Sequence, residues 1–251
     1  MTHRIAVALL VLTASIASAQ RIPELVRDIS SGNVMHSNPR HFVSDGQTAY
    51  FFANDGDNGV ELWKTDGTAA GTRMLSDIGP ATSSYAYEAL LFHDPAPMMS
   101  GDYVYFWAPS RPYVDLWRSD GTAAGTINLT KSLPDAFRTP PVTGRDKGRA
   151  VAFGAHGAVF TVPSGPYLCV TDGTREGTHR IEYDAPVFEE ATFVASNGAV
   201  YFTNLRDLWR TDGTRAGTRR VAGLEIGEAR VKQMMDSNGC LLYTSPSPRD
   251  S

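Results

Sequence analysis

Short runs of aromatic and β-branched residues recur along the chain, each preceded by a two-residue turn signal, and this pattern predicts β-strands joined by tight turns. The turn signals are Asp45-Gly46, Ser100-Gly101, His156-Gly157 and Asn197-Gly198. The apolar runs that follow them end in Tyr50-Phe51, Tyr105-Phe106, Val159-Phe160 and Tyr201-Phe202. A variable loop, a further strand, a turn and a last strand follow each run. Each unit is therefore predicted to be a meander of four strands, named A to D in chain order.

A twelve-residue segment recurs four times without gaps and contains the third strand of each unit. The copies begin at Glu61, Asp115, Tyr167 and Asp207, so they start 54, 52 and 40 residues apart. Repeats of this length that consist of short strands indicate the blades of a β-propeller. Adjacent residues of a strand point to opposite faces, and blades cover both faces of their neighbours, so two residues of each copy are predicted in the blade core. These pairs are Leu62 and Trp63, Leu116 and Trp117, Leu168 and Cys169, Leu208 and Trp209.

An Asp-Gly-Thr turn follows each of these pairs and has a local explanation. The Asp side chain can accept hydrogen bonds from backbone N–H groups two residues on, and the glycine can take a positive φ. The flanking threonine hydroxyls can satisfy the remaining polar groups of the turn. The turns are therefore predicted to be structural and to need no ligand. Their residues are Asp66, Gly67, Thr68, Asp120, Gly121, Thr122, Asp172, Gly173, Thr174, Asp212, Gly213 and Thr214.

The repeated segment resembles that of the bacterial ELWxxDGT-repeat proteins, and the resemblance extends from the N-terminal segment to about residue 239. It implies a secreted, propeller-like repeat protein and brings no catalytic residues with it. The third copy departs from the pattern, because Cys169 stands where the other copies have tryptophan. Since this replacement removes a large packing surface, we expect a looser contact at that blade.

The predicted fold is all-β, an incomplete β-propeller of four-stranded antiparallel blades. The four repeats cover about 39–80, 88–132, 146–184 and 190–224, and a fifth begins at about 230. The segment Leu25–Ile29 resembles the D strand Met74–Ile78 but has no A, B or C strand before it. We expect it to provide the outer strand of the last blade and so close the ring. A propeller has typically about four to eight blades, so about one to four would lie beyond this chain.

Both ends of the chain are predicted to lie outside the propeller. Residues 1–19 read as a signal peptide, with a short apolar run and the Ala17-Ser18-Ala19 cleavage pattern, which predicts a secreted, periplasmic or cell-surface protein. Residues 240–250 resemble the translation of a sequencing-library adapter, so 240–251 is predicted to be a non-native tail. The apolar run is too short to span a bilayer, and no transmembrane segment is expected.

The net charge bears on the class of partner, and the cysteine content bears on how the chain is stabilised. The net charge is −4 with no cluster of Lys or Arg, which argues against nucleic acid as a partner. If Cys240 belongs to the tail, Cys169 is the one native cysteine, and the stretch contains no disulfide. Stability must then come from packing.

Candidate binding residues lie in the loops of the B–C and D–A face, opposite the repeated turns. Loops on a rigid scaffold often carry function. The D–A connection 79–97 has the aromatic and carboxylate content that a sugar or peptide site uses, although ordinary loop anchoring is the favoured explanation of it. Its residues of interest are Tyr85, Tyr87, Glu88, His93 and Asp94.

Metal and cofactor chemistry receive little support. Asp55-Gly56-Asp57-Asn58-Gly59 is a partial calcium loop without its closing bidentate glutamate, so calcium remains a minor alternative. The histidines lack the HxH and HExxH spacings of zinc sites. No cofactor is expected, and no residue is assigned a catalytic role.

Three functions are compatible with this sequence. The favoured one is a secreted, non-enzymatic scaffold that binds an extracellular protein or glycan. The first alternative is an extracellular carbohydrate-active hydrolase or lyase. The second is a module of a larger cell-surface protein whose activity lies elsewhere.

Overall fold

The computed structural model describes residues 25–30, 37–78, 96–110, 113–134, 148–162, 167–183, 191–204, 207–221 and 233–244. Within these ranges the regular structure consists of β-strands and one 3-10 turn at Thr130–Ser132. No helix in the described ranges is long and apolar enough to cross a membrane. The chain is therefore all-β where it is described, as the sequence predicts.

The strands form four sheets of four strands and one of two, which we call blades 1 to 5. Blade 1 contains β1 (Arg40–Ser44), β2 (Ala49–Asn54), β3 (Val60–Thr65) and β4 (Arg73–Ser76). Blade 2 contains β5 (Met98–Ser100), β6 (Tyr103–Ser110), β7 (Tyr113–Ser119) and β8 (Ile127–Asn128). Blade 3 contains β9 (Arg149–Phe153), β10 (Gly157–Thr161), β11 (Leu168–Thr171) and β12 (His179–Arg180). Blade 4 contains β13 (Phe193–Ser196), β14 (Ala199–Asn204), β15 (Asp207–Thr211) and β16 (Arg219–Arg220). Blade 5 contains β17 (Gln233–Ser237) and β18 (Cys240–Thr244).

Every blade is a meander in which each strand pairs antiparallel with the next along the chain. The first strands of successive blades lie beside one another, from β1 through β5, β9 and β13 to β17. This arrangement is that of a β-propeller, whose first strands surround the axis. The described blades form an open row and not a closed ring, which agrees with the predicted incomplete propeller.

The core consists of apolar clusters between successive blades. Leu62 packs towards blade 2, in a cluster with Phe106, whereas Trp63 lies on the opposite face of blade 1 with Phe51. The same division holds in blade 2, where Leu116 faces blade 3 and Trp117 faces blade 1. The paired apolar residues of the motif therefore connect each blade to both of its neighbours.

The N-terminal segment lies against blade 1 on the face turned away from blade 2. Ile29 packs against the cluster of Phe51 and Trp63, and Nη1 of Arg27 donates a hydrogen bond to the carbonyl of Thr72. Ile78, which the sequence aligns with Ile29, packs in the same way against the cluster between blades 1 and 2, which contains Leu62 and Phe106. Residues 25–30 form no strand with any described residue. The packing is thus alike for Ile29 and Ile78, and the pairing of this segment with a last blade stays a prediction.

The contact at Cys169 is not loose, contrary to the sequence-based expectation. Cys169 is fully buried in the cluster between blades 2 and 3, which also holds Trp107 and Phe160. Trp107 occupies the position that Phe52 has in blade 1. Trp107 is larger than the phenylalanine at the same position of blade 1. It therefore fills the volume that a tryptophan in place of Cys169 would occupy.

Two predicted segments fall wholly or partly outside the description. The predicted signal peptide, residues 1–19, lies outside the described residues. The predicted non-native tail is described only as far as residue 244, and its first five residues form β18, which pairs with β17. The sheet of blade 5 therefore extends into the segment that is predicted to be a non-native tail.

Candidate functional site

Each of the four Asp-Gly-Thr turns has the same pattern of internal hydrogen bonds, which we describe for blade 1. Oδ1 of Asp66 accepts from the backbone N–H of Thr68 at 2.9 Å and from its hydroxyl at 2.7 Å. Oγ1 of Thr68 in turn accepts from the N–H of Gly71, and the hydroxyl of Thr72 donates to the carbonyl of Thr68. The corresponding bonds to Asp120, Asp172 and Asp212 are present in the other blades. These turns hold themselves together by bonds between their own residues.

Two glycines in each network are required by its geometry. Gly67 has φ of +85°, a conformation that a side chain disfavours. A Cβ added to Gly71 would lie 2.0 Å from Oδ1 of Asp66, because the carboxylate is folded back over that glycine. The second glycine of the motif therefore makes room for the aspartate.

The turn carboxylates are held in their ionised form. The threonine hydroxyl that donates to each carboxylate is the largest influence, and it lowers the pKa of the group below its usual value of 3.8. The groups concerned are Asp66, Asp120, Asp172 and Asp212. One oxygen of each carboxylate is used by the turn, and a full negative charge remains on this face of the propeller.

The turns also join neighbouring blades, through contacts that are separate from the hydrogen bonds within each turn. Nε of Arg118 in blade 2 donates to the carbonyl of Gly173 in blade 3 at 2.8 Å. The Arg118 guanidinium lies 4.3 Å from the centre of the Tyr103 ring. At the preceding junction, a Cβ on Gly121 would lie 2.8 Å from the phenol oxygen of Tyr50. The turn of one blade thus rests on aromatic and cationic side chains of the blade before it.

A paired tyrosine and cation provide that support in two described junctions. Tyr50 lies opposite Lys64 in blade 1, and Tyr105 lies opposite Arg118 in blade 2. In blade 3 the same two positions hold Val159 and Val170, also opposite each other. The junction between blades 3 and 4 therefore lacks both of the long side chains.

A cavity of about 460 Å³ opens at that junction, beside the turn of blade 4. The apolar part of its wall includes Phe153 and Val170, and a Cβ on Gly213 would lie 3.3 Å from each. The rest of the junction is packed, with the Tyr183 ring 5.6 Å from Trp209. Burial accordingly raises the pKa of Tyr183. The cavity lies where the tyrosine and the cation are missing, and not at a general gap between the blades.

Polar groups surround the opening of the cavity. They belong to Asp172, Asp212 and His179, while His156 also lines the cavity but has its ring 5.7 Å from that of Tyr103 in blade 2. Nδ1 of His156 accepts a weak hydrogen bond of 3.5 Å from the N–H of Asp102 in blade 2, and Nδ1 of His179 lies 3.2 Å from the carbonyl of Gly177. This combination of an apolar wall and an anionic rim suits the binding of a ligand with an apolar body and a positive end.

Metal ligation finds no support in the described part of the chain, where no three His, Cys, Asp or Glu side chains are grouped to hold an ion. In the partial calcium loop, Oδ1 of Asp55 accepts from the N–H groups of Asp57 and Asn58 at 3.0 and 2.8 Å. The Asn58 amide donates to Oδ2 of Asp55 at 2.8 Å. The aspartate that would begin a calcium loop is thus used to fold the loop itself.

The candidate binding residues predicted on the opposite face lie outside the described ranges. They are Tyr85, Tyr87, Glu88, His93 and Asp94. The described cavity is instead on the face of the repeated turns. Its signal was present in the repeat alignment, where Val159 and Val170 depart together from a tyrosine and a cation. The two departures can be interpreted only once the register of β10 and β11 shows that Val159 and Val170 are opposite each other.

Comparisons with known proteins concern the fold alone. No protein-family model and no curated protein matches the chain. Among solved structures, it is similar to a streptogramin B lyase, with 13% identity and a TM-score of 0.47 over 84% of this chain and 63% of that one. It is also similar to a catalytically inactive virginiamycin B lyase from Staphylococcus aureus with quinupristin, with 14% identity and a TM-score of 0.45 over 83% and 63%. For BamB from Moraxella catarrhalis the identity is 12% and the TM-score 0.35 over 81% and 69%. The chain spans 63% of the length of the two lyases.

Proposed function

We propose that this chain is an exported, non-enzymatic β-propeller scaffold that binds an extracellular protein or glycan. The observation that carries the proposal is the cavity of about 460 Å³ between blades 3 and 4, at a junction that lacks the side chains found at its neighbours. A rigid row of blades with one altered junction provides a binding surface without disturbing the remaining packing.

The chemistry of the turn face also supports binding. Asp172 and Asp212 each commit Oδ1 to two hydrogen bonds within their own turns. A lowered pKa keeps these carboxylates ionised at neutral pH, so they attract cations and are poor proton donors. They are therefore suited to recognition.

Export and family membership belong to the same proposal. The apolar run and the Ala17-Ser18-Ala19 pattern support cleavage of a signal peptide. The four copies of the twelve-residue segment support membership of the ELWxxDGT-repeat proteins.

Screening of the full chain against a glycan array and a random-peptide display library tests the proposal. Val170→Arg, which places in blade 3 the residue type that blade 2 has at this position, serves as the counter-screen. We expect ligands that are retained by the parent chain and lost by the variant. Absence of any such ligand from both collections would overturn the proposal. Release of product from any glycan would replace it with the hydrolase or lyase alternative.

A further inference from the structure

The junction between blades 2 and 3 shows which groups fill the space that is open at the next junction. The Tyr105 side chain is buried there, with 1% of its surface exposed. The Arg118 guanidinium lies over the Tyr103 ring and donates from Nε to the carbonyl of Gly173, and its Nη1 donates to the carbonyl of Gly125. An aromatic platform and a guanidinium thus occupy the space beside the turn.

The junction between blades 3 and 4 retains the receiving groups without the donors. The Gly213 carbonyl corresponds to that of Gly173 but accepts no hydrogen bond from any described residue. Val170 stands in the place of Arg118 and ends at the cavity wall. A guanidinium from another molecule would find a free backbone carbonyl at the same place in the repeat.

The charge at this opening favours the same ligand. Asp172 and Asp212 are ionised and line the cavity, and the Oδ2 atom of each accepts no hydrogen bond from the described part of the chain. Arg210, which lies close enough to lower the pKa of Asp212, does not line the cavity. Two carboxylates next to an apolar wall complement a cationic head on an apolar stem.

We propose that the cavity between blades 3 and 4 binds an arginine side chain of a partner protein, in the place that Arg118 occupies at the preceding junction. The guanidinium lies between the two carboxylates and the Gly213 carbonyl, and its methylene stem lies along Phe153 and Val170. This inference rests on the proposed binding function and assigns it to a protein rather than a glycan.

Titration of the full chain with N-acetyl-arginine amide, followed by NMR, tests the inference directly. N-acetyl-citrulline amide has nearly the same shape without the charge and serves as the matched probe. We expect saturable shifts at cavity residues with the arginine probe, and binding of the citrulline probe weaker by about tenfold or more. Equal binding of the two probes would overturn the inference.

Single substitutions test whether the arginine probe binds at this cavity while the turns keep their internal hydrogen bonds. Val170→Arg should abolish binding of the arginine probe, because its own guanidinium takes the place of the ligand. Asp172→Asn and Asp212→Asn retain the Oδ1 acceptor of the turn and should each weaken binding about two- to fivefold. Asp66→Asn is the matched control in blade 1 and should leave binding unchanged. Undiminished binding by Val170→Arg, or equal losses with Asp66→Asn, would show that the site lies elsewhere.

The two proposals fail in different ways. If the screen yields neutral peptides or glycans that Val170→Arg no longer binds, the binding function stands and the arginine assignment falls. If the arginine probe binds at the cavity but the screens yield no ligand, the local chemistry is correct and the wider function is not.

Discussion

Nε of Arg118 lies 2.8 Å from the carbonyl oxygen of Gly173 and donates a hydrogen bond to it across the junction between blades 2 and 3. The residue that makes this bond follows Trp117 in one copy of the repeated segment, and the residue that receives it is the turn glycine of the next copy. Each copy of the motif therefore both closes its own turn and provides a surface for the turn of its neighbour. This double role explains why a change at one copy alters the contact with the following blade.

Replacement of Arg118 by methionine should destabilise the chain by about 1–3 kcal/mol, because two hydrogen bonds from a charged donor and a cation–π contact are lost. The Arg118 side chain is 13% exposed, so water replaces these contacts poorly. Chemical denaturation monitored by circular dichroism measures the loss. Arg215→Met is the control, since that side chain is 67% exposed and, among the described residues, forms an ion pair with Glu182 alone, at 3.5 Å. The control should change stability by less than about 0.5 kcal/mol, and equal losses for both variants would contradict the assigned role.

Gly125→Ala should be more damaging than substitution of an unobstructed turn glycine. Its Cβ would lie 2.0 Å from Oδ1 of Asp120, so the carboxylate must move and its two bonds to Thr122 are lost. We expect a loss of about 2–4 kcal/mol. Gly46→Ala, where φ is +95° and no atom lies within 4 Å of the added Cβ, should cost about 1 kcal/mol. Thermal denaturation of both variants makes the comparison, and a larger effect at Gly46 would refute it.

Stability should fall in acid because of the turn carboxylates. A carboxyl whose pKa is lower in the folded than in the unfolded chain stabilises the fold above the unfolded value, and this contribution is lost as the pH falls through the folded value. The turn aspartates have pKa values below 3.8 when folded. We therefore expect a melting temperature that is steady from about pH 7 to 5 and falls below about pH 4. Replacing all four with asparagine should reduce this fall, and an undiminished fall would point to other groups.

The junction between blades 2 and 3 should not accept a tryptophan at position 169. Trp107 already fills part of that cluster, so Cys169→Trp should cost about 1–3 kcal/mol through overpacking. Adding Trp107→Phe restores the pair found between blades 1 and 2, where Phe52 faces Trp117. The double variant should recover much of the loss in a double-mutant cycle. Additive effects of the two changes would show that they do not compensate.

The two cysteines should differ in reactivity. Burial raises the pKa of the Cys169 thiol to about 12, whereas Cys240 is exposed. A disulfide reagent at neutral pH should therefore titrate one thiol in the folded chain and two in guanidinium chloride. Rapid reaction of two thiols in the folded chain would mean that the cluster around Cys169 opens readily.

The strands, the blade repeat and the chemistry of the turns were readable from the amino-acid sequence. The reason is that the bonds of each turn join residues within about seven positions of one another, as between Thr65 and Thr72. Residue type and spacing therefore determine the turn wherever the motif occurs. The opposite orientation of Leu62 and Trp63 follows in the same way from strand geometry.

The identity of the open junction was decided only by the tertiary structure. Trp107 compensates for Cys169, and Val170 lies beside Gly213 without the hydrogen bond that Arg118 donates to Gly173, yet each pair is separated by dozens of positions in the chain. Such contacts depend on strand register and on the way one blade stacks on the next, which the local pattern does not specify. The sequence alone predicted a loose contact at Cys169. The structure places the cavity on the other face of that blade, because packing volume is shared across a junction and is not a property of one residue.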